Sequence, residues 1–233
     1  MPIEYAPSPI QELLARVYRN YLALMSVPAS EGAPGLGGKL VYAGELDADG
    51  KELTIAGNIA GAATLAGTAD QASSRLAMHD GAVDFVVTTL DEALRILKNQ
   101  IRKRERASVC VSVTSAQVEK EMLERGVRPD LLRMAAMPGA IDQFVAQGAR
   151  KVEAQPLAYG LSLFAFEIPQ AMTRRTGELE QALAASVAAN DEVNRRWLRE
   201  SPRYLGRSAR RVRSVACDAE ASSRLKGRLE AMF

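Results

Sequence analysis

The stretch that decides the fold is residues 80–104, which read DGAVDFVVTTLDEALRILKNQIRKR. Its first part contains the run 83–87 (VDFVV), which is apolar except for Asp84 and is typical of a buried strand. Thr89 and Glu92 follow at the spacing of a capping box, and apolar residues then recur at helical spacing. The stretch therefore predicts a buried strand that leads directly into an amphipathic helix, the repeating unit of an α/β protein.

Strands and helices alternate on both sides of this stretch. Short apolar runs predict four further strands, at 40–43, 62–67, 108–113 and 131–134. A second helix is predicted to begin at Thr114, with Gln117 three residues later, and to stop at Gly126. Strands that alternate with helices pair in parallel and need cover on both faces. The predicted fold class is α/β, with a Rossmann-like, mainly parallel sheet of about five or six strands.

Two helical regions lie outside this alternation. Ser8 and Gln11 form a capping box around Pro9, which predicts the start of an N-terminal helix. Residues 178–200 are predicted as one amphipathic helix, whereas 28–38 is a loop rich in proline and glycine. We therefore expect an N-terminal helix and loop over 1–37, a Rossmann domain over 38–150, and a mostly helical extension over 151–233 that packs on the same domain.

Composition excludes several classes of protein. The net charge of +2 argues against binding nucleic acid through the overall charge of the molecule. Cys110 and Cys217 cannot form a disulfide framework, and His79 is the single histidine, so we expect no metal site. Neither a secretory signal nor an apolar run long enough to cross a bilayer is visible. These features favour a cytoplasmic protein with no membrane contact.

Four segments of the alternating region together resemble the central domain of urocanase (urocanate hydratase). They are GKLVYAGEL at 38–46, NIAGAATLAGTAD at 58–70, the stretch 80–104, and SVCVSVTSAQVEKEMLERGVRPD at 108–130. The resemblance implies a Rossmann-like fold. The resemblance also implies the cofactor of that family, a tightly held NAD that serves as an electrophile when water is added to urocanate.

The stretch that matches the family's NAD cradle departs from it. In the family the loop after the first strand contains a glycine-rich run that lets NAD approach the backbone. The matching residues here are 44–51, and of that glycine-rich run only Gly50 is retained. Three acids, Glu45, Asp47 and Asp49, have entered. A pyrophosphate needs backbone N–H groups and a positive helix N-terminus, and these carboxylates would repel it. We therefore expect no bound cofactor.

Other family positions differ as well. Thr68 stands where the family has an acid that can hold a ribose, and Ser73 stands where the family has a nearby arginine. Thr114 and Ser115 replace an Asn-Ala pair, and 135–139 replaces a Gln-Thr-Ser-Ala-His segment. The segment that carries the family's reactive cysteine has no recognisable counterpart. Loss at all of these positions argues against urocanate chemistry, so the catalytic residues stay unknown.

Polar residues at the strand carboxyl ends are the candidates for a ligand crevice, because open parallel sheets bind ligands there. The candidates are Gly44, Glu45, Asp47, Gly50, Thr68, Ser73, Thr88, Thr89, Thr114, Ser115 and Arg133. For the four hydroxyl residues at 88–89 and 114–115 the alternative role is helix capping, which is compatible with ligand contact. The acids at 47–50 are expected in a solvated turn rather than in a calcium loop.

Three hypotheses for function remain open. The first is a urocanase-like protein without urocanate hydratase activity, which binds a small ligand or a protein partner in the crevice. The second is a related lyase or hydratase that acts on an imidazole-type or other small substrate. The third is phosphate or nucleic-acid binding through the arginines of 195–228, which we expect to be less favoured than a solvated or intersubunit helix face. A homo-oligomer, most simply a dimer, is expected because the N-terminal and 178–200 helices are amphipathic.

Overall fold

The computed structural model describes residues 8–28, 35–133, 136–168, 176–206 and 211–230. The chain divides into two compact units, Val17–Gln155 and a second unit formed by Met1–Arg16 with Pro156–Phe233. The first unit contains most of helix α1 and an alternation of strands and helices. Their bounds are α1 Pro9–Met25, β1 Leu40–Glu45, α2 Ala48–Ala60, β2 Ala63–Gly67, α3 Gln71–His79, β3 Phe85–Val87, α4 Leu90–Lys103, β4 Ala107–Val111, α5 Ser115–Glu124, β5 Leu131–Leu132, α6 Ala140–Ala146 and β6 Arg150–Lys151.

The six strands form one sheet in the order β3-β4-β2-β1-β5-β6. Every pair of neighbours is parallel, and β1 lies inside the sheet between β2 and β5. The predicted Rossmann-like α/β fold is confirmed. The predicted strands are all present, although β5 is shorter than expected and β6 was not foreseen.

The stretch 80–104 folds as its pattern predicts. Thr89 accepts a hydrogen bond from the Glu92 backbone N–H, and the Glu92 carboxylate accepts one in return from the Thr89 N–H, which completes the capping box. Leu90, Leu94 and Leu97 lie on the buried face of α4. Because cap and apolar face lie within one helix, local sequence suffices to place it.

Helices cover both faces of the sheet. Tyr42, Leu65 and Val109 belong to an apolar cluster with buried residues of α4, α5 and α6. Successive side chains of a strand alternate between faces, so Thr64 points to the opposite face. There it contacts α2, where a Cβ on Gly57 would lie 3.0 Å from the Thr64 Cγ2.

The turn before β5 anchors the central strands at their amino ends. Asp130 accepts hydrogen bonds from the Leu40 backbone N–H at 2.9 Å and from the Lys39 Nζ at 3.1 Å. The Asp130 N–H in turn donates to the Leu40 carbonyl. Asp130, the last residue of the turn 125–130, therefore sets β5 beside β1.

The solvated turn expected at 47–50 is wrong, because this segment is the start of α2. Asp47 is its N-cap and accepts the Gly50 N–H at 2.8 Å. Helix α2 is buried from residue 52 to residue 60. A helix that is buried on nearly every side, with polar residues such as Glu52 and Asn58 among those buried, shows no amphipathic period, so the sequence pattern did not reveal it.

The second unit contains a small antiparallel sheet as well as helices. Its elements are β7 Ser162–Glu167, α7 Thr176–Ala184, α8 Glu192–Tyr204, β8 Val212–Cys217 and α9 Ala219–Glu230. The predicted single helix at 178–200 is wrong, since α7 ends at Ala184 and Asp191 caps α8 by accepting the Asn194 N–H at 3.0 Å. The apolar spacing of the two helices happens to continue across the break, which hid it.

Both faces of the small sheet are covered. Phe164 and Phe166 pack with residues of α7 and α9. On the other face the Trp197 indole N–H donates to the Ser214 hydroxyl at 3.0 Å, and Trp197 is fully buried. Among the helices of the described ranges, none has the length and apolar character needed to span a bilayer.

Candidate functional site

The carboxyl-end crevice lies beyond β1 and β5, where the chain connections diverge to opposite sides of the sheet. From β1 the chain passes through α2 to β2, whereas β5 lies on the other side of β1. Ligands of doubly wound sheets bind at such a switch point. The residues at or just beyond the carboxyl ends of β1, β4 and β5, which we take as the crevice residues, are Gly44, Glu45, Asp47, Asp49, Gly50, Thr114, Ser115 and Arg133.

The N-terminus of α2 approaches the end of β1 so closely that position 50 must be glycine. A Cβ on Gly50 would lie 1.8 Å from the Glu45 carbonyl oxygen. Gly44, at a register irregularity of β1, has a φ of 79°, which also favours glycine. Both glycines therefore have a structural role in the passage from β1 to α2.

The first N–H groups of α2 face a carboxylate of the chain itself. Asp47 accepts the Gly50 N–H, and its backbone carbonyl accepts the Lys51 N–H. The positive end of the helix dipole is thereby balanced internally. Any anion at this position would compete with Asp47.

An ion pair spans the crevice from α2 to the end of β5. The Arg133 Nη2 lies 2.9 Å from the Asp49 Oδ2. The Asp49 side chain is 66% exposed and that of Arg133 is 22% exposed. The pair therefore lies at the mouth of the crevice, within reach of solvent.

A second carboxylate occupies the N-terminus of α5. The Glu45 Oε2 accepts the Ser115 backbone N–H at 3.2 Å. Gly67 lies next to Glu45 in the sheet register, and a Cβ there would lie 2.9 Å from the Val118 Cγ2. The close approach of α5 to the sheet thus depends on a glycine. Thr114 caps the same helix by accepting the Gln117 N–H.

The start of α3 shows the same arrangement. Asp70 accepts the Ala72 N–H at 2.9 Å and the Ser73 hydroxyl at 2.6 Å. These hydrogen bonds, that from Ser73 foremost, lower the pKa of Asp70. Thr68 is buried and its hydroxyl accepts the Asp70 N–H.

Thr88 and Thr89 lie at the far edge of the sheet. The Glu92 carboxylate accepts the Thr88 N–H, the Thr88 hydroxyl and the Thr89 N–H, and these bonds lower the pKa of Glu92. Strand β3 is three places from β1, or about 14 Å at the usual strand spacing. Thr89 is therefore a helix cap and Thr88 a hydrogen-bond donor to Glu92, and both are too distant to share a small ligand with Arg133.

Comparison with known proteins shows which family this chain belongs to. The model of the urocanase Rossmann-like domain matches residues 19–138, more than half of the chain. The chain belongs to the urocanase Rossmann-like domain family. The match runs from α1 to the segment before α6 and includes every residue around the crevice.

A curated relative is similar to a part of this chain. It is the S-methyl thiourocanate hydratase of Variovorax sp. (strain JCM 16519 / RA8), 26% identical over 141 residues. The matched region is 60% of this chain and 26% of the relative. The chain therefore spans about a quarter of the length of that hydratase.

One crevice feature of this urocanase-type domain was not foreseen. Glu119 of α5 is fully buried and accepts the Tyr42 hydroxyl at 3.0 Å. It also accepts the backbone N–H groups of Ala136 and Met137, at 3.0 and 2.7 Å. Glu119 thereby fixes part of the segment that follows Arg133. The sequence offered one signal for this, because Glu119 is an acid on the apolar face of the helix predicted from Thr114 to Gly126.

The buried phenol and thiol near the crevice are poor acids. Burial, with the nearby Glu119, raises the pKa of Tyr42. Burial in β4, with the nearby Glu45, raises the pKa of Cys110 to about 12. Both groups are therefore neutral at physiological pH, and the Tyr42 hydroxyl acts as a hydrogen-bond donor to Glu119.

The single histidine and the second cysteine lie in other elements of the chain. His79 ends α3, where its Nδ1 lies 3.5 Å from Asp80. Cys217 is half-buried in β8. Within the described ranges no group of three or more His, Cys, Asp or Glu side chains could hold a metal ion.

Proposed function

We propose that this chain is a urocanase-family domain that does not hold NAD in its crevice, lacks urocanate hydratase activity, and binds a small ligand or a protein partner there. The observation that carries the proposal is the internal occupation of the helix N-termini. Carboxylates of the chain accept N–H groups at the starts of α2, α3, α4 and α5.

The fit of NAD can be judged at two of these helices. The pyrophosphate of a dinucleotide binds where N–H groups at a helix N-terminus are free. At α2 the Gly50 N–H donates to Asp47, and at α5 the Ser115 N–H donates to Glu45. A dinucleotide would have to displace two carboxylates and then remain beside their charge. These residues do not fit the family cofactor.

The crevice nevertheless has features of a binding site. It lies at the switch point of the sheet, and Arg133 and Asp49 are both accessible at its mouth. An exposed ion pair contributes only about 0–1 kcal/mol, so a ligand or partner can open it at small cost. The charged groups of the pair could then bind opposite charges on the occupant.

A hydratase is the second candidate, and the relative's name is the observation in its favour. That protein is named as a hydratase of S-methyl thiourocanate, and this chain covers 26% of it. Arg133 would be the residue placed to hold an acidic substrate. Cofactor binding discriminates this reading from the first.

Binding of nucleic acid has less support. Arginines of the basic C-terminal stretch form ion pairs within their own unit, among them Arg211 with Glu167 at 2.6 Å and Arg213 with Glu180 at 2.8 Å. Arginines committed to carboxylates neutralise fewer phosphates.

The test is native mass spectrometry of the freshly purified chain, followed by thermal-shift assays with NAD and with urocanate. We expect no co-purified NAD and no stabilisation by either compound. The variant Asp47→Asn removes one of the two carboxylate charges while keeping a capping side chain, and because Glu45 still accepts the Ser115 N–H, it should also show no stabilisation by NAD. Co-purified NAD, or clear stabilisation by NAD, would overturn the proposal and would favour the second candidate, hydratase activity.

A further inference from the structure

The small sheet of the second unit has one accessible edge. Strand β7 pairs with β8 on one side. We propose that its other edge pairs antiparallel with β7 of a second copy of this chain, around a two-fold axis at Ala165. The two copies would then share a four-stranded sheet.

The register shows which backbone groups face outward. The Ile168 N–H donates to the Arg211 carbonyl, and the β7–β8 register continues without a shift. In an antiparallel pair the backbone groups of successive residues alternate in direction. Those of Leu163, Ala165 and Glu167 therefore point away from β8. Within the described ranges no backbone group outside this ladder bonds to them.

Burial distinguishes the two edges of the sheet. On β8, the outward-facing residues Val212 and Ser214 are buried, and only Ala216 is partly exposed. On β7, residues 163–166 are only partly buried. The accessible edge is therefore that of β7.

An exposed apolar segment leads directly into β7. Tyr159 is fully exposed and Leu161 is 41% exposed. Strand β7 reads SLFAFE, with no proline, no lysine and no bulge, and its one charge is at the end. Natural edge strands that stay unpaired usually carry such protective features. Exposed apolar side chains beside an unprotected edge are typical of an interaction surface.

The strand is complementary to itself, which favours a second copy over an unrelated peptide. With the axis at Ala165, Phe164 of one copy lies opposite Phe166 of the other, and cross-strand aromatic pairs of this kind are favourable. Leu163 lies opposite Glu167, so no two like charges meet. The small Ala165 faces its own equivalent at the axis. Most homo-oligomers are two-fold symmetric dimers with such isologous contacts.

The first experiment measures dimerisation by analytical ultracentrifugation over a range of concentrations. Ala165→Pro removes the outward N–H and should raise the dimer dissociation constant by more than about tenfold. Proline is tolerated on an edge strand where its nitrogen faces outward, so the monomer should keep its circular dichroism and Trp197 fluorescence. The matched control Ala165→Ser keeps the N–H and should dimerise as the unsubstituted chain does.

The second experiment does not depend on tolerance of proline. In a Cys217→Ser background, Ala165→Cys should form an interchain disulfide under mild oxidation. Directly paired residues at such an axis have Cα atoms about 5.5 Å apart, within disulfide range. Ser162→Cys, which the axis does not place opposite itself, should not cross-link.

Several outcomes would overturn the inference. One is a chain that stays monomeric at all concentrations. Another is a dimer that Ala165→Pro leaves intact and Ala165→Cys fails to cross-link. Binding of a synthetic peptide of residues 159–168 to a chain that never dimerises would likewise assign the edge to a different partner. None of these results bears on NAD binding, so this inference and the proposed function can fail separately.

Discussion

Substitution of Gly50 tests the close contact between α2 and the end of β1. Alanine in a helix is usually more stable than glycine by up to about 1 kcal/mol. At this position, however, the new Cβ would lie 1.8 Å from the Glu45 carbonyl oxygen and 2.9 Å from its carbon. Both atoms belong to the backbone of β1, which is paired with β2 at Glu45, so they cannot rotate away.

The expected size of the effect follows from two opposing contributions. Overpacking of a buried site costs about 3 kcal/mol at the upper end of its usual range, and the helical gain returns about 1 kcal/mol. Gly50→Ala should therefore reduce the free energy of unfolding by about 2 kcal/mol, which corresponds to a fall in Tm of about 6 °C. Urea and thermal unfolding followed by far-ultraviolet circular dichroism measure both quantities.

Gly227→Ala is the matched control. Gly227 lies in α9, and a Cβ there would have no atom within 4 Å. This variant should gain about 0.5–1 kcal/mol, measurable by the fluorescence of Trp197, the single tryptophan, which lies in the same unit. If Gly50→Ala were as stable as the unsubstituted chain, the reasoning about this contact would be refuted.

Two further predictions concern carboxylates. Glu119→Gln replaces a fully buried carboxylate with an amide, whose nitrogen cannot accept one of the two part-buried backbone N–H groups, and it should cost about 2 kcal/mol in urea unfolding. Glu121→Gln on the same helix should change stability by less than about 0.5 kcal/mol, and equal losses would contradict the role of Glu119. The Lys51 ammonium, 2.6 Å from the Asp80 carboxylate, holds the pKa of Asp80 below its usual range. The ion pair therefore stabilises the fold at pH values above the pKa that Asp80 has in the unfolded chain, and this stability is lost as pH falls through the pKa of Asp80 in the folded chain. Asp80→Asn should flatten the acid limb of the stability curve, and parallel limbs for the two proteins would count against this assignment.

Local signals predicted much of the fold. The capping box at Thr89 and the apolar face of α4 lie within one segment, so nothing distant was needed to place them. The same holds for the cap at Thr114. Helix α2 lacked an amphipathic pattern because it is buried, and the break between α7 and α8 was hidden by continuous apolar spacing.

The crevice was predictable only in outline. Parallel strands bring their carboxyl ends to one edge, so Glu45, Asp47 and Arg133 could be expected near one another. That Asp49 and Arg133 form an ion pair could not, because 84 residues separate them. Nor could the bond from the Ser115 N–H to Glu45 be derived from the sequence, since it depends on how closely α5 approaches the sheet.

The sequence by itself determined the alternation of strands and helices, the parallel sheet, and the family resemblance, because periodicity, caps and turns act over a few residues. Only the tertiary structure decided how the acids are used. Asp47 and Glu45 became internal ligands of two helix N-termini, and Glu119 was buried with backbone donors from another segment. Whether a carboxylate faces solvent, a ligand or a backbone N–H depends on distances between segments that are remote in sequence, and these exist only once the chain has folded.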